Sequence, residues 1–422
     1  MLRFAPSQTE DIDLASLRVA LFHHILSKTQ NEELIIRIDD TDKQNNIENK
    51  DKEILELLSL FGINYTRVVY QSENIKYHTQ MAMKLLLDKK AFNCFCSDEA
   101  LAQDKEIAIK ENKPYAYSGF CETISDETKF NCNAPFIVRI KKPEDTITIT
   151  KMIKGKLSFT PLEIDSFKIL NHDKSPTTSF AAAVDDMLFD ISTIVSQEEN
   201  ILEAPRQKHI RSSLCYEKEI NYLHLTPLLD AEYSIQSLVE KGYMPAAIAN
   251  YLILLSYETS QEIFTVEDII KDFDVSKIIR TPAKFEKEKL NEINREYMMT
   301  LEDMRFSKII GFADDDIGKL AKLYVEESNT TKEIEEKVKA IFSEKKPLED
   351  FENEFVILKE CLQKAPFIKE FDDLLKHITK NTNLEDQTLL KVLSFALTNT
   401  TNQKNLGQIY PLIQNYLGEI IK

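Results

Sequence analysis

The sequence predicts an α/β protein with a parallel sheet in its first half and only helices in its second half. Three observations predict this. Residues 1–42 read as strand, helix, strand; residues 134–161 alternate apolar and polar between turn breakers; and from Gly242 onward apolar residues recur at helical spacing.

Arg3–Ser7 is a short buried strand entering a turn. Leu14, Leu17, Leu21 and Ile25 then mark one helix face, and Asp13 stands where its carboxylate accepts the free N–H groups of the first turn. Leu34–Ile38 is a second strand, ending in the acidic turn Asp39-Asp40-Thr41-Asp42. Such a βαβ unit crosses over right-handed, and a nucleotide site on it belongs at the strand C-termini, against the first helix N-terminus. A phosphate there favours glycine and open N–H donors. The approach is instead Gln8-Thr9-Glu10-Asp11-Ile12-Asp13, with no glycine before Gly62. Each like charge about 5 Å from a phosphate costs ~1–3 kcal/mol. On the residues alone, this is a well-capped helix that binds no anion.

RFAPSQTEDIDLASLRVAL followed by RIDDTD resembles the opening of a bacterial glutamyl-tRNA synthetase, a class I aminoacyl-tRNA synthetase. The resemblance implies a Rossmann-like catalytic domain with an inserted acceptor-binding domain, followed by all-α stem-contact and anticodon-binding domains. It also implies ATP and Mg as substrates alongside glutamate and tRNA. In that family the helix opens with a His-Ile-Gly-His type signature after Pro-Ser-Pro-Thr-Gly. Here the signature falls on Asp13-Leu14-Ala15-Ser16, and the preceding Pro and Gly positions hold Gln8 and Glu10. Of the family's amino-acid pocket, Arg3, Ser7 and Asp39 remain as vestiges, Asp39 being one methylene shorter than the family's Glu.

The 422 residues are 43% hydrophobic, enough for three or four domains. No apolar run approaches eighteen residues and no signal-peptide pattern occurs, so a soluble, cytoplasmic protein without membrane contact is expected. A monomer is expected as well. Six cysteines in a chain of this size point to a reducing compartment, with metal binding favoured over disulfides. A net charge of −17 argues against generic nucleic-acid adhesion but leaves room for a locally basic tRNA face. The eight glycines are isolated, which excludes a Walker loop and any Gly-x-Gly-x-x-Gly.

Residues 47–62 form a helix with Ile54, Leu57, Leu58 and Phe61 on one face and Gly62 as its stop. Residues 74–91 form another. Next come Cys94-x-Cys96 and Tyr117-x-x-x-Cys121. Thiolates suit zinc, and two from one turn orient half a tetrahedron, yet by spacing alone buried thiols fit as well. The resemblance implies zinc on Cys94, Cys96, Tyr117 and Cys121, because some members and their shortened relatives carry it on this pattern. Cys132, Cys215 and Cys361 read as core fillers.

Residues 134–161 read as antiparallel strands matching the family's acceptor-stem insertion. Lys141, Lys142, Lys151, Lys154 and Lys156 there are either phosphate contacts or a solvated strand face. Phe167–Leu170 returns to the sheet, 176–191 is a helix, and Ile191–Val195 a further strand. In the family, the helix supplies a tyrosine and the strand an arginine to bound glutamate; here these positions are Thr178 and Ser196. Landmarks that only build structure persist: Asp185-Asp186, Pro205, Gln207, His209-Ile210 and Ser212-x-Leu214.

The family's strand ending in Pro-Leu-Leu leads to a lysine-rich loop that neutralises departing pyrophosphate. Here Leu225-Thr-Pro-Leu-Leu-Asp230 runs through Ala231, Glu232 and Tyr233 into Ser234, and no lysine stands between Lys218 and Lys241. The loop reads as deleted, leaving the acids Asp230 and Glu232, with no neighbour to stand in for it.

Met244–Leu255 is core. Arg280–Asn294 resembles the family's stem-contact run, which makes Lys284, Lys287, Lys289 and Arg295 tRNA-contact candidates, with a solvated helix face as the alternative. Residues 300–422 are amphipathic helices resembling the anticodon-binding domain. The expected division is 1–90 and 164–232 for the catalytic domain, 91–163 for the insertion, 233–298 for stem contact and 299–422 for the anticodon. The reading that follows is a member that has lost ATP-dependent glutamate activation and acts as a paralogue binding tRNA of glutamate or glutamine type, or a protein such as an intact synthetase or amidotransferase. The alternative is an atypical but active glutamate–tRNA ligase.

Overall fold

A computed structural model describes residues 1–110, 112, 115–153, 155–348, 350–384, 386–402 and 405–422. The chain forms two compact units: Met1–Tyr233 with Leu252–Phe285, and Ser234–Tyr251 with Glu286–Lys422.

The first unit is built on strands β1 (Leu2–Phe4), β2 (Leu34–Ile38), β3 (Arg67–Tyr70), β4 (Ala91–Cys94), β5 (Ile137–Ile140), β6 (Ile147–Lys151), β7 (Lys156–Phe159), β8 (Lys168–Leu170), β9 (Thr193–Gln197), β10 (Asn221–Leu225), β11 (Leu228–Leu229) and β12 (Ala283–Lys284). Seven form one sheet in the order β3-β2-β1-β9-β10-β6-β7, parallel except for the last pair. The first crossover is helix α1 (Leu14–Thr29), capped as predicted by the Asp13 carboxylate, which accepts from the Ser16 N–H at 2.7 Å. Leu14, Leu17, Leu21 and Ile25 are fully buried.

The helix predicted over 47–62 is α2 (Lys50–Leu60). It starts late because Asn49 sits at φ +61°, and it is closed by Gly62 at φ +69°. Helix α3 (Ile75–Leu87) follows β3. Two strand expectations need correction. Phe167–Leu170 does not rejoin the large sheet: β8 pairs with β5 in a separate antiparallel sheet, β4-β5-β8, with Val138 opposite Leu170. The β6–β7 hairpin instead joins the large sheet, with Tyr222 of β10 opposite Lys151. Short apolar strands carry no mark of which sheet they enter, and register decides it.

Of the three cysteines expected in a core, only Cys361 packs against one, that of the second unit. Cys132 and Cys215 are exposed and Cys361 is half-buried. Cys132 ends a short helix, and Cys215 sits at φ +63° just past the Glu203–Ser213 helix, so both lie in surface turns. Lys154 lies outside the described residues.

The second unit is helical. Its core gathers Phe306, Leu320, Val338, Leu358, Ile378, Leu393 and Tyr410. Two helices cross closely at Gly318, where a Cβ would stand 1.9 Å from the Asp303 carbonyl oxygen, so only glycine fits. Lys345 is buried, and its ammonium donates to the carbonyls of Ile341 (2.5 Å) and Ile420 (3.0 Å), pinning the C-terminal turn. Among the described residues no helix is long and apolar enough to cross a membrane.

Candidate functional site

The C-terminal ends of β1 and β2 bring Ser7 and Asp39 together as an isolated parallel bridge, the Gln8 N–H donating to the Asp39 carbonyl at 3.1 Å. Both side chains have internal partners. The Ser7 hydroxyl lies 2.8 Å from the Thr9 hydroxyl, and Asp39 Oδ1 accepts from the Thr41 hydroxyl at 2.9 Å.

Arg3 points elsewhere, into a buried ionic cluster. Its guanidinium donates to Asp186 through Nε (3.0 Å) and NH2 (3.3 Å), and Arg37 donates to the same carboxylate at 2.7 Å. Asp185, equally buried, receives Gln71 Nε2 (2.8 Å) and Asn74 Nδ2 (3.1 Å) and stands 2.7 Å from His78 Nε2. Burial opposes a charge on Asp186, but Arg3 and Arg37 hold its carboxyl down to about 2. The Asp185-Asp186 pair is thus the buried anchor of this cluster, with Arg3 among its partners.

The turn before α1 is less negative than its sequence suggests. Asp13 is spent as the cap, and Asp11 Oδ1 lies 2.5 Å from the Lys50 ammonium, which also donates to Glu53 at 2.6 Å. Sequence reasoning missed Lys50. It also missed Arg18, whose guanidinium is wholly buried on α1 and donates to the Thr226 carbonyl (2.5 Å) and the Ser256 hydroxyl (3.2 Å). Arg18 therefore ties α1 to the segment after β10. His23, behind it, accepts from the Val195 N–H at Nε2 (3.0 Å), which leaves its Nδ1–H to donate to the Val19 carbonyl (3.0 Å).

Past β10, β11 pairs in parallel with β12, placing Leu229 opposite Lys284. Asp230 follows at φ +56°. The Ile235–Glu240 helix starts at its Ser234 cap, so only residues 230–233 connect it to β11. Sequence reasoning also missed that a lysine distant in the chain reaches this turn: Lys284 Nζ stands 3.1 Å from Asp230 Oδ2. Ser196 lies on β9 opposite His224, and Thr178 opens the Thr178–Leu188 helix, exposed.

The Sγ atoms of Cys94, Cys96 and Cys121 lie within 4.8 Å of one another, Cys96 and Cys121 at 3.5 Å. The Tyr117 hydroxyl is 3.4 Å from both Cys94 and Cys96, and Arg139 covers its ring at 4.4 Å. A tetrahedral zinc at ~2.3 Å from each thiolate separates sulfurs by about 3.8 Å, so this donor set fits one. Without metal, burial pushes the Cys96 thiol up to about 11.

Of the tRNA-contact candidates, Lys284 lies in the first unit; Lys287, Lys289 and Arg295 share the Lys287–Thr300 helix of the second. Lys289 pairs with Glu292 at 3.1 Å, and Arg295 donates to Asn329 at 2.5 Å. Lys142 and Lys156 are exposed, Lys151 is half-buried, and Lys141 lies 3.7 Å from Glu122.

Residues 1–292 match the family model described as the catalytic domain of class I tRNA synthetases for E and Q. The chain is 43% identical over 432 residues to glutamate–tRNA ligase 2 of Sulfurimonas denitrificans and to glutamate–tRNA ligase 1 of Campylobacter jejuni, each alignment spanning all of both chains. It superposes on a crystal structure of a glutamate tRNA ligase from Elizabethkingia meningosepticum with a TM-score of 0.81 at 20% identity, covering 100% of this chain and 98% of that one. The likeness of fold therefore runs the length of the chain, both units included.

Proposed function

Because the chain belongs to the glutamyl-tRNA synthetase family of class I synthetases, we propose that it binds a glutamate- or glutamine-type tRNA and has lost the ATP-dependent activation of glutamate. The observation that carries this reading is the direct passage from β11 to the Ser234-capped helix, with no lysine between Lys218 and Lys241. Lysines at that point neutralise charge as pyrophosphate departs. Lys284, held on Asp230, is a single exposed cation in an ion pair and is not a substitute for a flexible basic loop. The Asp13 cap occupies the helix terminus where a phosphate would accept N–H bonds, and Ser196 offers glutamate no charge.

The tRNA part of the reading rests on what persists. Residues 91–163 are assigned to the acceptor end, 233–298 to the stem and 299–422 to the anticodon, and none of these contacts needs adenylate chemistry. Zinc on Cys94, Cys96, Cys121 and Tyr117 would brace the acceptor-end segment. A protein partner such as an intact synthetase or an amidotransferase would receive the tRNA.

A second reading, an atypical but active glutamate–tRNA ligase, is favoured by the names of the relatives, which are ligases at 42–43% identity over their full length. Filter binding with glutamate tRNA against an unrelated tRNA tests the first half of the proposal. Charging of that tRNA with labelled glutamate separates the two readings: bound but uncharged tRNA supports ours, and glutamyl-tRNA supports the ligase. A genome in which this chain is the sole synthetase of its type would also favour the ligase.

A further inference from the structure

A cavity of about 240 Å³ opens at the C-terminal ends of β6 and β10, away from the Ser7–Asp39 bridge. One wall is a face of β10: Tyr222 and His224 are spaced by two and so point the same way, and Thr226 follows just past the strand's end. The neighbouring β6–β7 hairpin, paired with β10 in the same sheet, supplies Lys151, Lys156 and Leu157, and Glu198 and Arg280 complete the lining.

His224 is the feature without an internal explanation. It is 9% exposed, and neither ring nitrogen has a hydrogen-bond partner among the described residues. Its ring stacks on Tyr222, centroids 5.9 Å apart and planes 17° from parallel. Tyr222 is itself fixed, its hydroxyl accepting from Arg211 at 3.0 Å. A buried imidazole with both nitrogens unpaired carries a desolvation cost that a ligand would remove.

The charge around it selects the ligand. Lys151, Lys156 and Arg280 line the cavity, and none has an ion-pair partner among the described residues. Against them stands one acid, Glu198, so with neutral His224 the lining carries two net positive charges inside a chain of net charge −17. A dianion balances that lining. The volume falls below the roughly 300–1,000 Å³ of sites for drug-sized ligands, which excludes a whole nucleotide with its base enclosed.

We propose that this cavity binds a phosphate monoester dianion, free phosphate or the ester of a small polyol, with His224 as the polar contact and Lys151, Lys156 and Arg280 as its counter-charges. The proposal is independent of whether the chain activates glutamate. A phosphodiester such as an RNA backbone carries one charge, leaves the lining unbalanced and is refused.

The test is an NMR titration of the full chain at constant ionic strength, following the His224 ring, assigned by its disappearance in His224→Phe. That variant keeps the stack on Tyr222 and removes both nitrogens. Inorganic phosphate and glycerol phosphate are the two arms that distinguish free phosphate from an ester, and dimethyl phosphate is the diester control. The expected result is a saturable shift with one or both dianions and an upward move of the ring's titration, while the diester gives neither. Lys151→Gln and Arg280→Gln should each weaken binding about 10-fold, as expected for loss of one charge-assisted contact. Arg280 is exposed, so its variant folds normally. A ring unmoved at tens of millimolar phosphate, equal binding of the diester, or unchanged affinity in both variants would overturn the proposal.

Discussion

Lys284 Nζ stands 3.1 Å from Asp230 Oδ2, so a lysine on β12 neutralises the acid at the turn where the family's lysine loop would begin. Both side chains are about two-thirds exposed, and such pairs contribute only ~0–1 kcal/mol. The pair therefore leaves Lys284 free to exchange Asp230 for a phosphate at little cost. Changing Lys284 and Lys289 together to Glu is expected to lower affinity for glutamate tRNA at least 10-fold without moving the melting temperature by more than a degree or two. Filter binding across a salt series checks this, and the wild-type affinity should fall steeply with ionic strength because phosphate contacts dominate.

The thiol cluster gives a metal prediction. Protein purified without chelator should carry about one equivalent of zinc, and Cys96→Ala should lose it and loosen the segment around β4. Plasma emission spectrometry measures the first, and hydrogen exchange of the β4 and β5 amides the second. Metal-free wild-type protein after gentle purification would reject the site.

Asp186 holds two arginines of the first unit. It is wholly buried under Arg3 and Arg37, and its removal leaves two guanidinium groups without that carboxylate. Asp186→Ala should cost about 3–5 kcal/mol, the range for breaking a buried pair from one side. A urea midpoint measures it. Lys50→Met, by contrast, faces the exposed acids Asp11 and Glu53 and should cost about 1 kcal/mol or less.

Acid should unfold the first unit in two stages. Burial and the nearby Arg3 push His23 down to about 3 from 6.5, so between those values the unfolded chain binds the extra proton. Stability is then full above about pH 6.5 and falls as pH drops toward 3. Asp186, held at about 2 against 3.8, adds a further loss between roughly pH 4 and 2. Urea midpoints at pH 7, 5.5 and 4 should decline steadily, and His23→Gln should flatten the decline above pH 4.

Much of this was legible in the sequence because it depends on local pattern. The α1 cap at Asp13, the βαβ opening and the Gly62 stop each need only neighbours in the chain, whereas the set Cys94, Cys96, Tyr117 and Cys121 was legible only through the family resemblance. What was not legible depends on distant partners. Nothing near Asp11 announces Lys50, nothing near Asp230 announces Lys284, and Arg18 reads as an ordinary helix arginine until its target, the Thr226 carbonyl, is placed. Nothing in the sequence around His224 shows that both of its ring nitrogens lie buried without a partner. The sheet membership of β8 and of the β6–β7 hairpin is a matter of register, which alternation does not encode.

The chain keeps the family's fold, and the central proposal is that it does not activate glutamate. ATP–pyrophosphate exchange with glutamate, Mg and glutamate tRNA all present tests it most directly. The account predicts no glutamate-dependent exchange above background and ATP binding weaker than millimolar. Sustained exchange that requires both glutamate and tRNA would contradict it and establish the chain as a working ligase.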